Sequence, residues 1–133
     1  MTNLRADELA RRYLETLGAG QIDSCLGLFH QDVIVKFPAS IVGARTISKA
    51  ELGAMLRNMP NVFQARPSYT LLAQTSEGNH SCIEFTGVGR MKNGSEFRNE
   101  YCIVFVAAHG LIVEMREYLD TGALQALAKT ATS

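Results

Sequence analysis

The stretch from Arg98 to Asp120 constrains the fold of this chain more than any other part of it. It consists of two long apolar runs separated by His109-Gly110, and glycine there supplies the positive φ that a tight hairpin turn needs. Side chains alternate between the two faces of a strand. In the first run Asn99, Tyr101, Ile103 and Phe105 share one face, while Glu100, Cys102, Val104 and Val106 share the other. Because both faces are largely apolar, we predict a hairpin at the centre of a curved sheet, covered by helices on one side and another subunit on the other.

Length and charge limit the classes of protein to which the chain can belong. Its 133 residues suffice for one domain, spanning 1–133, with a single sizeable core. Lys plus Arg equals Asp plus Glu at 13 each, without runs of like charge, which argues against nucleic acid or a membrane surface as a partner. No apolar segment has the length of a membrane span, and the N-terminus is a charged helix start rather than a signal peptide. We expect a cytoplasmic protein.

The N-terminal half has helical periodicity with one strand. Apolar residues at helical spacing predict a helix from Ala6 to Leu17 and a shorter one from about Ile22 to Phe29. The run Val33–Phe37 predicts a strand that Pro38 stops. Ser48 to Glu51 matches a capping box, which predicts a third helix that ends at Pro60.

The C-terminal half has the pattern of an antiparallel meander. We predict strands at Ser68–Thr75, His80–Met91, Glu96–Ala107 and Leu111–Leu119. Asn93-Gly94 marks the second of the three turns. A short final helix after Asp120-Thr121 is expected to pack through Leu124 and Leu127, ahead of a frayed tail at 130–133. Helices first and strands second indicate an α+β fold.

Cysteine and histidine offer no pattern that binds a metal. The cysteines stand alone in apolar surroundings, which favours buried free thiols over a disulfide or a metal site: Cys25, Cys82 and Cys102. None of His30, His80 and His109 has a second ligand at metal-binding spacing, so exposed or capping roles are expected for them. We therefore expect no metal and no cofactor.

This order of elements, with a few local motifs, resembles one known superfamily. The motifs are Asp32-Val33-Ile34 leading to Phe37-Pro38, the strand with Asn99 and Tyr101, and the run from Met115 to Asp120. They resemble the SnoaL-like polyketide cyclase, ketosteroid isomerase and limonene epoxide hydrolase group of the nuclear-transport-factor-two-like (NTF2-like) superfamily. The resemblance implies a cone-shaped fold, in which N-terminal helices pack on a strongly curved, mainly antiparallel sheet around a deep apolar pocket.

The resemblance also assigns roles to residues. Asp120 matches the aspartate that serves the cyclases as acid and base. Aligned on that residue, Glu84 and Thr86 stand where the epoxide hydrolases have an Arg-x-Asp pair, and Val35 and Phe37 replace the tyrosine and asparagine that hold their water. We therefore do not expect the hydrolases' way of activating water here.

If Glu84 and Asp120 share the pocket, desolvation and like charge would raise the pKa of one carboxylate, which gives an acid and a base. Tyr101 or Asn99 would donate a hydrogen bond to a developing enolate oxygen. The hypothesis is a cofactor-independent isomerase or lyase acting on a small apolar carbonyl compound, with Asp120 as general base. The residues expected to hold the substrate are Val35, Phe37, Thr86, Val88, Tyr101, Ile103 and Tyr118.

Other interpretations of the same residues stay open, and with them the question whether the chain is an enzyme. Asp120 can be an N-cap, and Glu84 can face the other side of the sheet, since a one-residue slip reverses every side chain. We expect Arg116 and Glu117 to be solvated or interface charges. The alternative functions are a non-catalytic domain for apolar ligands or dimerisation and, third, an epoxide hydrolase with rearranged residues. A homodimer is expected because no helix remains to cover Val104 and its neighbours.

Overall fold

A computed structural model describes residues 4–38, 45–120 and 122 of the chain. The elements follow one another as α1 (Ala6–Gly18), α2 (Ile22–Leu26), β1 (Phe29–Phe37), β2 (Arg45–Ile47), α3 (Lys49–Val62), β3 (Ser68–Glu77), β4 (His80–Arg90), β5 (Glu96–Ala108) and β6 (Leu111–Leu119). The predicted final helix, with Leu124 and Leu127, and the predicted frayed tail lie outside the described residues.

Local sequence signals explain where the two longer helices begin and which side they bury. Helix α1 buries Leu9, Tyr13 and Leu17, as its periodicity predicts. Helix α3 starts at the predicted capping box: the Ser48 hydroxyl accepts a bond from the Glu51 N–H at 3.2 Å, and the Glu51 carboxylate accepts one from the Ser48 N–H at 3.1 Å. The capping box thus fixes the start of α3, and the buried stripe fixes the side that α1 turns to the core.

Helix α3 does not end at Pro60, as predicted, but continues to Val62. A proline removes one N–H from the helix ladder and hinders the turn before it. The helical hydrogen-bond pattern resumes after Pro60, since the Phe63 N–H donates to the Met59 carbonyl at 3.0 Å. Pro60 therefore lies within the last turn of α3.

The strands form one sheet in the order β2-β1-β6-β5-β4-β3. All neighbours are antiparallel except β1 and β6, which run parallel. The α+β prediction is confirmed, with two corrections. Strand β1 begins at Phe29, where the second helix was expected to end, and the short strand β2 was not predicted.

One extra residue interrupts the pairing of β5 with β6. Ala107 faces Ile112, but the next partner of β5, Val106, faces Glu114. Val113 is thus a β-bulge, with two residues of β6 opposite one of β5. Past the bulge, Met115 and Glu117 point to the concave face of the sheet, because they pair with the inward-facing Phe105 and Ile103.

The helices pack on the concave face, and the core lies between them and the sheet. Its largest fully buried side chains include Leu9, Phe85 and Phe105. Cys25 is buried here as predicted, whereas Cys82 and Cys102 are only partly buried. These two point to the convex face, where their Sγ atoms lie 3.2 Å apart across β4 and β5.

The convex face, called the outer face below, carries no helix among the described residues. Ile34 is 44% exposed there and Tyr118 39%. Lys36, Glu114 and Arg116 form ion pairs on the same face. No helix in the described part of the chain is long and apolar enough to cross a membrane.

Candidate active site

A cavity of about 180 Å³ lies between the helices and the concave face of the sheet. We call it the inner cavity. Its wall is apolar except for one carboxyl and three phenol groups. Met55 is 44% exposed, so the cavity reaches the surface beside it. The lining residues are Tyr13, Leu17, Phe37, Leu52, Met55, Leu56, Met59, Tyr69, Phe85, Tyr101, Met115 and Glu117.

Glu117 is the acidic residue of the inner cavity. It lies on β6, opposite Ile103 of β5, and is partly buried. No hydrogen bond or ion pair joins its side chain to any described residue. Burial in apolar surroundings penalises the charged form and raises the pKa of Glu117 to about 7. This carboxyl therefore exchanges protons near neutral pH.

Three tyrosines approach Glu117 from different elements: Tyr13 from α1, Tyr69 from β3 and Tyr101 from β5. Burial raises the pKa of Tyr69 to about 12 and that of Tyr13 and Tyr101 further, and the nearby Glu117 adds to each shift. All three phenols are therefore protonated at neutral pH. They are the side-chain O–H donors among the described residues that line the inner cavity.

Aromatic packing fixes the rings on the sheet side of the cavity. Tyr101 stacks on Phe85 with ring centroids 4.8 Å apart, and Tyr69 meets Phe85 edge-on at 5.8 Å. Both tyrosine rings lie over Gly87, where a Cβ would come within 3.0 Å of each. The glycine leaves the space that the rings occupy.

Residues 10–115 match the sequence profile of the family described as "SnoaL-like domain", which is most of the chain. The chain belongs to the SnoaL-like domain family. The match to the SnoaL-like profile ends two residues before Glu117, so the family assignment does not itself cover the carboxyl of the cavity. A search of curated proteins finds no match.

Solved structures share the fold of this SnoaL-like domain. A protein from Pseudomonas putida assigned as a polyketide cyclase is 21% identical, with a TM-score of 0.75 and coverage of 91% of this chain and 96% of that one. The BvnE pinacolase of Penicillium brevicompactum is 12% identical, with a TM-score of 0.83 and coverage of 96% and 94%. A Catenulispora acidiphila protein with a ketosteroid isomerase-like fold, in complex with trimethylamine, is 14% identical, with a TM-score of 0.75 and 92% coverage of both chains. These likenesses show the cone-shaped NTF2-like fold that the sequence predicted.

The structure does not place Asp120 of the SnoaL-like domain at the inner cavity. Asp120 is exposed at the end of β6, and its Oδ1 accepts a bond from the Gly122 N–H at 2.8 Å. That geometry is the one expected of a capping residue. The carboxyl in the cavity is instead that of Glu117, which the sequence had suggested to be a solvated or interface charge.

Glu84 lies on the outer face and is exposed, so it does not share a cavity with another carboxyl. Thr86 and Val88 follow it on the same face, and Tyr118 is on the outer face of β6. The expected placement of these four beside the substrate is thus corrected. On β4 the reason is the alternation of side chains along the strand. The inward-facing residues are Ile83, Phe85 and Gly87, each one position away from a residue that was predicted to face the pocket.

The remaining predicted residues point inward. Tyr101 and Phe37 line the inner cavity, whereas Val35 and Ile103 are fully buried in the core. Asn99 is 2% exposed, and its Oδ1 accepts bonds from the N–H groups of Glu100 at 2.8 Å and Asp120 at 3.0 Å. Its Nδ2 has no partner among the described residues. Asn99 therefore joins the ends of β5 and β6 and retains one spare donor.

The spacing of two buried residues on β6 accounts for the inward position of Glu117. Ile112 and Met115 are both fully buried, yet they are three positions apart with two residues between them, so they cannot share one face of a regular strand. Only a bulge between them brings both inward. With the bulge at Val113 included, the side chain of Glu117 points inward and that of Arg116 points outward.

Two further depressions flank the helices. A groove of about 880 Å³ runs between α1 and β3, past Arg11, Glu15 and Leu71. A smaller pocket of about 390 Å³, called the outer pocket below, is lined by Leu17, Gly20, Ile22, Leu56, Arg57, Met59, Pro60, Phe63, Gln64, Ala65, Arg66 and Pro67. Among the described residues no group of three or more His, Cys, Asp or Glu side chains could hold a metal ion.

Proposed function

We propose that this SnoaL-like domain is a small cofactor-independent isomerase or lyase that moves protons on an apolar carbonyl compound in the inner cavity. One observation carries the proposal: the Glu117 carboxyl lies in an apolar cavity with a pKa of about 7. A general acid or base works best when its pKa is close to the working pH. Glu117 takes the role that the sequence had given to Asp120.

The proposed step is a proton transfer without a covalent intermediate. The ionised Glu117 removes a proton from the carbon beside the carbonyl, and the electron pair moves to the carbonyl oxygen. The hydroxyl of Tyr101 or Tyr69 donates a hydrogen bond to that developing oxyanion. With a β,γ-unsaturated substrate, protonated Glu117 then returns the proton to the γ-carbon and the double bond moves into conjugation, which isomerises the substrate. With a β-hydroxy substrate, Glu117 protonates the leaving hydroxyl while the enolate collapses and the β-carbon–oxygen bond breaks, which eliminates water.

Exchange of hydrogen for deuterium tests the step without knowledge of the natural substrate. The protein is incubated in D₂O with cyclic ketones of increasing size, and the loss of the α-proton signal is followed by NMR. We expect catalysed exchange whose rate rises with pH around an apparent pKa of 7. Glu117→Gln should lower the exchange rate constant by about a hundredfold or more, since this is the size of a general base contribution.

Glu84→Gln and Asp120→Asn are the matched controls, because each removes a carboxylate that the structure places outside the inner cavity. Both should retain exchange within about twofold. Undiminished exchange by Glu117→Gln, or its loss in Asp120→Asn alone, would overturn the assignment of the base. If no ketone exchanges with the wild-type protein, a non-catalytic pocket for a small apolar molecule becomes the better proposal.

Strand β4 adds no support to the epoxide hydrolase alternative. The positions that align with the hydrolases' Arg-x-Asp pair, Glu84 and Thr86, have their side chains on the outer face. The inward-facing residues of β4 offer neither a charge nor a hydroxyl at the same level, because Ile83, Phe85 and Gly87 stand there.

We further propose that two copies associate through the outer face, and we retain the expectation of a cytoplasmic location. Val104 and Val106 are only partly buried on that face, beside the exposed Ile34 and Tyr118. Apolar side chains that remain open in one copy are suited to contact with a second.

A further inference from the structure

The outer pocket has the opposite charge character to the inner cavity. Its wall is mainly apolar, with Ile22, Leu56 and Phe63 among its residues, and it carries two guanidinium groups, Arg57 and Arg66. No Asp or Glu is among the described residues that line it. A ligand with an apolar body and a negative end matches this wall.

Arg66 is the guanidinium of the outer pocket that is not paired with another described residue. Arg57 already pairs with Asp23 at 3.1 Å, whereas Arg66 forms no ion pair with any described residue. A guanidinium offers several N–H donors in a fixed plane, which suits a carboxylate or a phosphate. Arg66 is thus the group in the outer pocket that is able to accept a new anion.

Gly20 gives Arg66 its position. A Cβ on Gly20 would lie 2.5 Å from the Arg66 Cδ and 3.0 Å from one of its terminal nitrogens. The arginine side chain therefore lies directly on the turn between α1 and α2. Gly20 also has a φ of +73°, a conformation that glycine adopts without strain.

The outer pocket and the inner cavity are neighbours that share part of their wall. Leu17, Leu56 and Met59 line both. Glu117 lines the cavity on one side of these three side chains and Arg66 lines the pocket on the other, so a molecule that reaches past them would have one end near each group. The shared wall is apolar, and Met59 is a flexible side chain that adapts to a ligand.

We propose that the ligand of this protein is an amphipathic organic anion, whose carboxylate or phosphate binds Arg66 in the outer pocket while its apolar body extends toward the inner cavity. The inference deepens the proposed function and rests on it for the statement that the body carries the reacting carbonyl group. Arg66 is a specificity residue in this arrangement, since it holds the end of the substrate that does not react.

Binding of three eight-carbon probes tests the inference by calorimetry at neutral pH, where carboxylates are ionised. Octanoate and octyl phosphate carry the two anionic groups, and octanol is the uncharged match. We expect at least one anion to bind about tenfold more tightly than octanol, as one charge-assisted contact would give. The stronger anion identifies the head group of the ligand.

Substitution of the arginine identifies the contact. Arg66→Gln should weaken binding of the preferred anion about tenfold and leave octanol unchanged, and Arg66→Lys should restore part of the loss. Arg12→Gln is the matched control, because it removes one positive charge from α1 outside both linings. Equal affinity for anions and octanol, or an equal loss in Arg12→Gln, would overturn the proposal.

Glu117→Gln separates this inference from the proposed function. The variant retains Arg66 and the outer pocket, so its preference for the anion should persist although deuterium exchange is lost. A preserved preference in a wild-type protein that exchanges no ketone would leave the anion site standing and remove the catalytic role. Deuterium exchange by a wild-type protein that binds anions and octanol equally would support the catalytic role and remove the anion site.

Discussion

Glu117 is the residue whose burial in the inner cavity changes its protonation near neutral pH. Its carboxyl is placed among apolar and aromatic side chains without a positive partner among the described residues. The groups that face it from α1, β3 and β5 are the phenols of Tyr13, Tyr69 and Tyr101, while α3 and β1 contribute only apolar side chains. The folded protein therefore favours the protonated carboxyl at a pH where the unfolded chain favours the ionised one.

This difference predicts how stability depends on pH. Between the ordinary pKa of 4.5 and the folded value of about 7, the folded state binds more protons than the unfolded state. The free energy of unfolding should thus fall as pH rises through this window, by roughly 3 kcal/mol at most, and level off above it. In Glu117→Gln, urea unfolding across the same window should show this decline abolished.

Glu84→Gln serves as the control for that measurement, since it removes an exposed carboxylate. Its unfolding free energy should show the same decline as the wild-type protein. A decline of equal size in Glu117→Gln would mean that another group titrates in this range and that Glu117 is ionised throughout.

At the scale of elements, the contact between β4 and β5 positions the aromatic wall. Gly87 pairs with Asn99, and the rings of Tyr69 and Tyr101 occupy the space above it. Gly87→Ala should destabilise the protein by about 1 to 3 kcal/mol, because its Cβ would meet two rings that are already packed. Urea or thermal denaturation measures the change.

Gly27→Ala is the matched control for this substitution. Gly27 has helical angles, with φ −64° and ψ −14°, and its nearest neighbour to an added Cβ is at 3.4 Å. Alanine there should leave stability unchanged or raise it slightly, since it restricts the unfolded chain. An equal loss at both positions would show that the tyrosine rings are not the cause.

The elements also show what the sequence was able to predict. The Ser48 capping box and the His109-Gly110 turn are local signals, and both appear in the structure where they were expected, with φ of 55° and 76° in the turn. The parallel pairing of β1 with β6 joins residues far apart in the chain, and the bulge at Val113 breaks the strict alternation on which the predicted faces of β6 rested. That bulge decides which carboxyl enters the cavity, so the fold was predictable and the site was not.

At the scale of the whole molecule, the proposed association of two copies uses the outer face. Val104 lies near the middle of this face, paired with Arg116 of β6. We expect the wild-type protein to be a dimer in size-exclusion chromatography with light scattering. Val104→Lys should shift the mass to that of a monomer, since it places a charge in the apolar contact.

Ala54→Lys adds the same charge at an exposed position of α3, on the other side of the molecule. Its mass should stay that of the dimer. A wild-type protein that runs as a single monomeric species would contradict the proposed association, as would dissociation of both variants.

The bulge at Val113 has a consequence for how such a domain changes its chemistry. Deleting that one residue would restore strict alternation along β6 and exchange the two faces of everything after it, so that Arg116 would turn inward and Glu117 outward. The titratable carboxyl of the cavity, to which we assign proton transfer, would be replaced by a permanent cation without the substitution of a single amino acid. Insertion and deletion in the last hairpin thus offer this fold a route to a new activity that a comparison of aligned residues would not show.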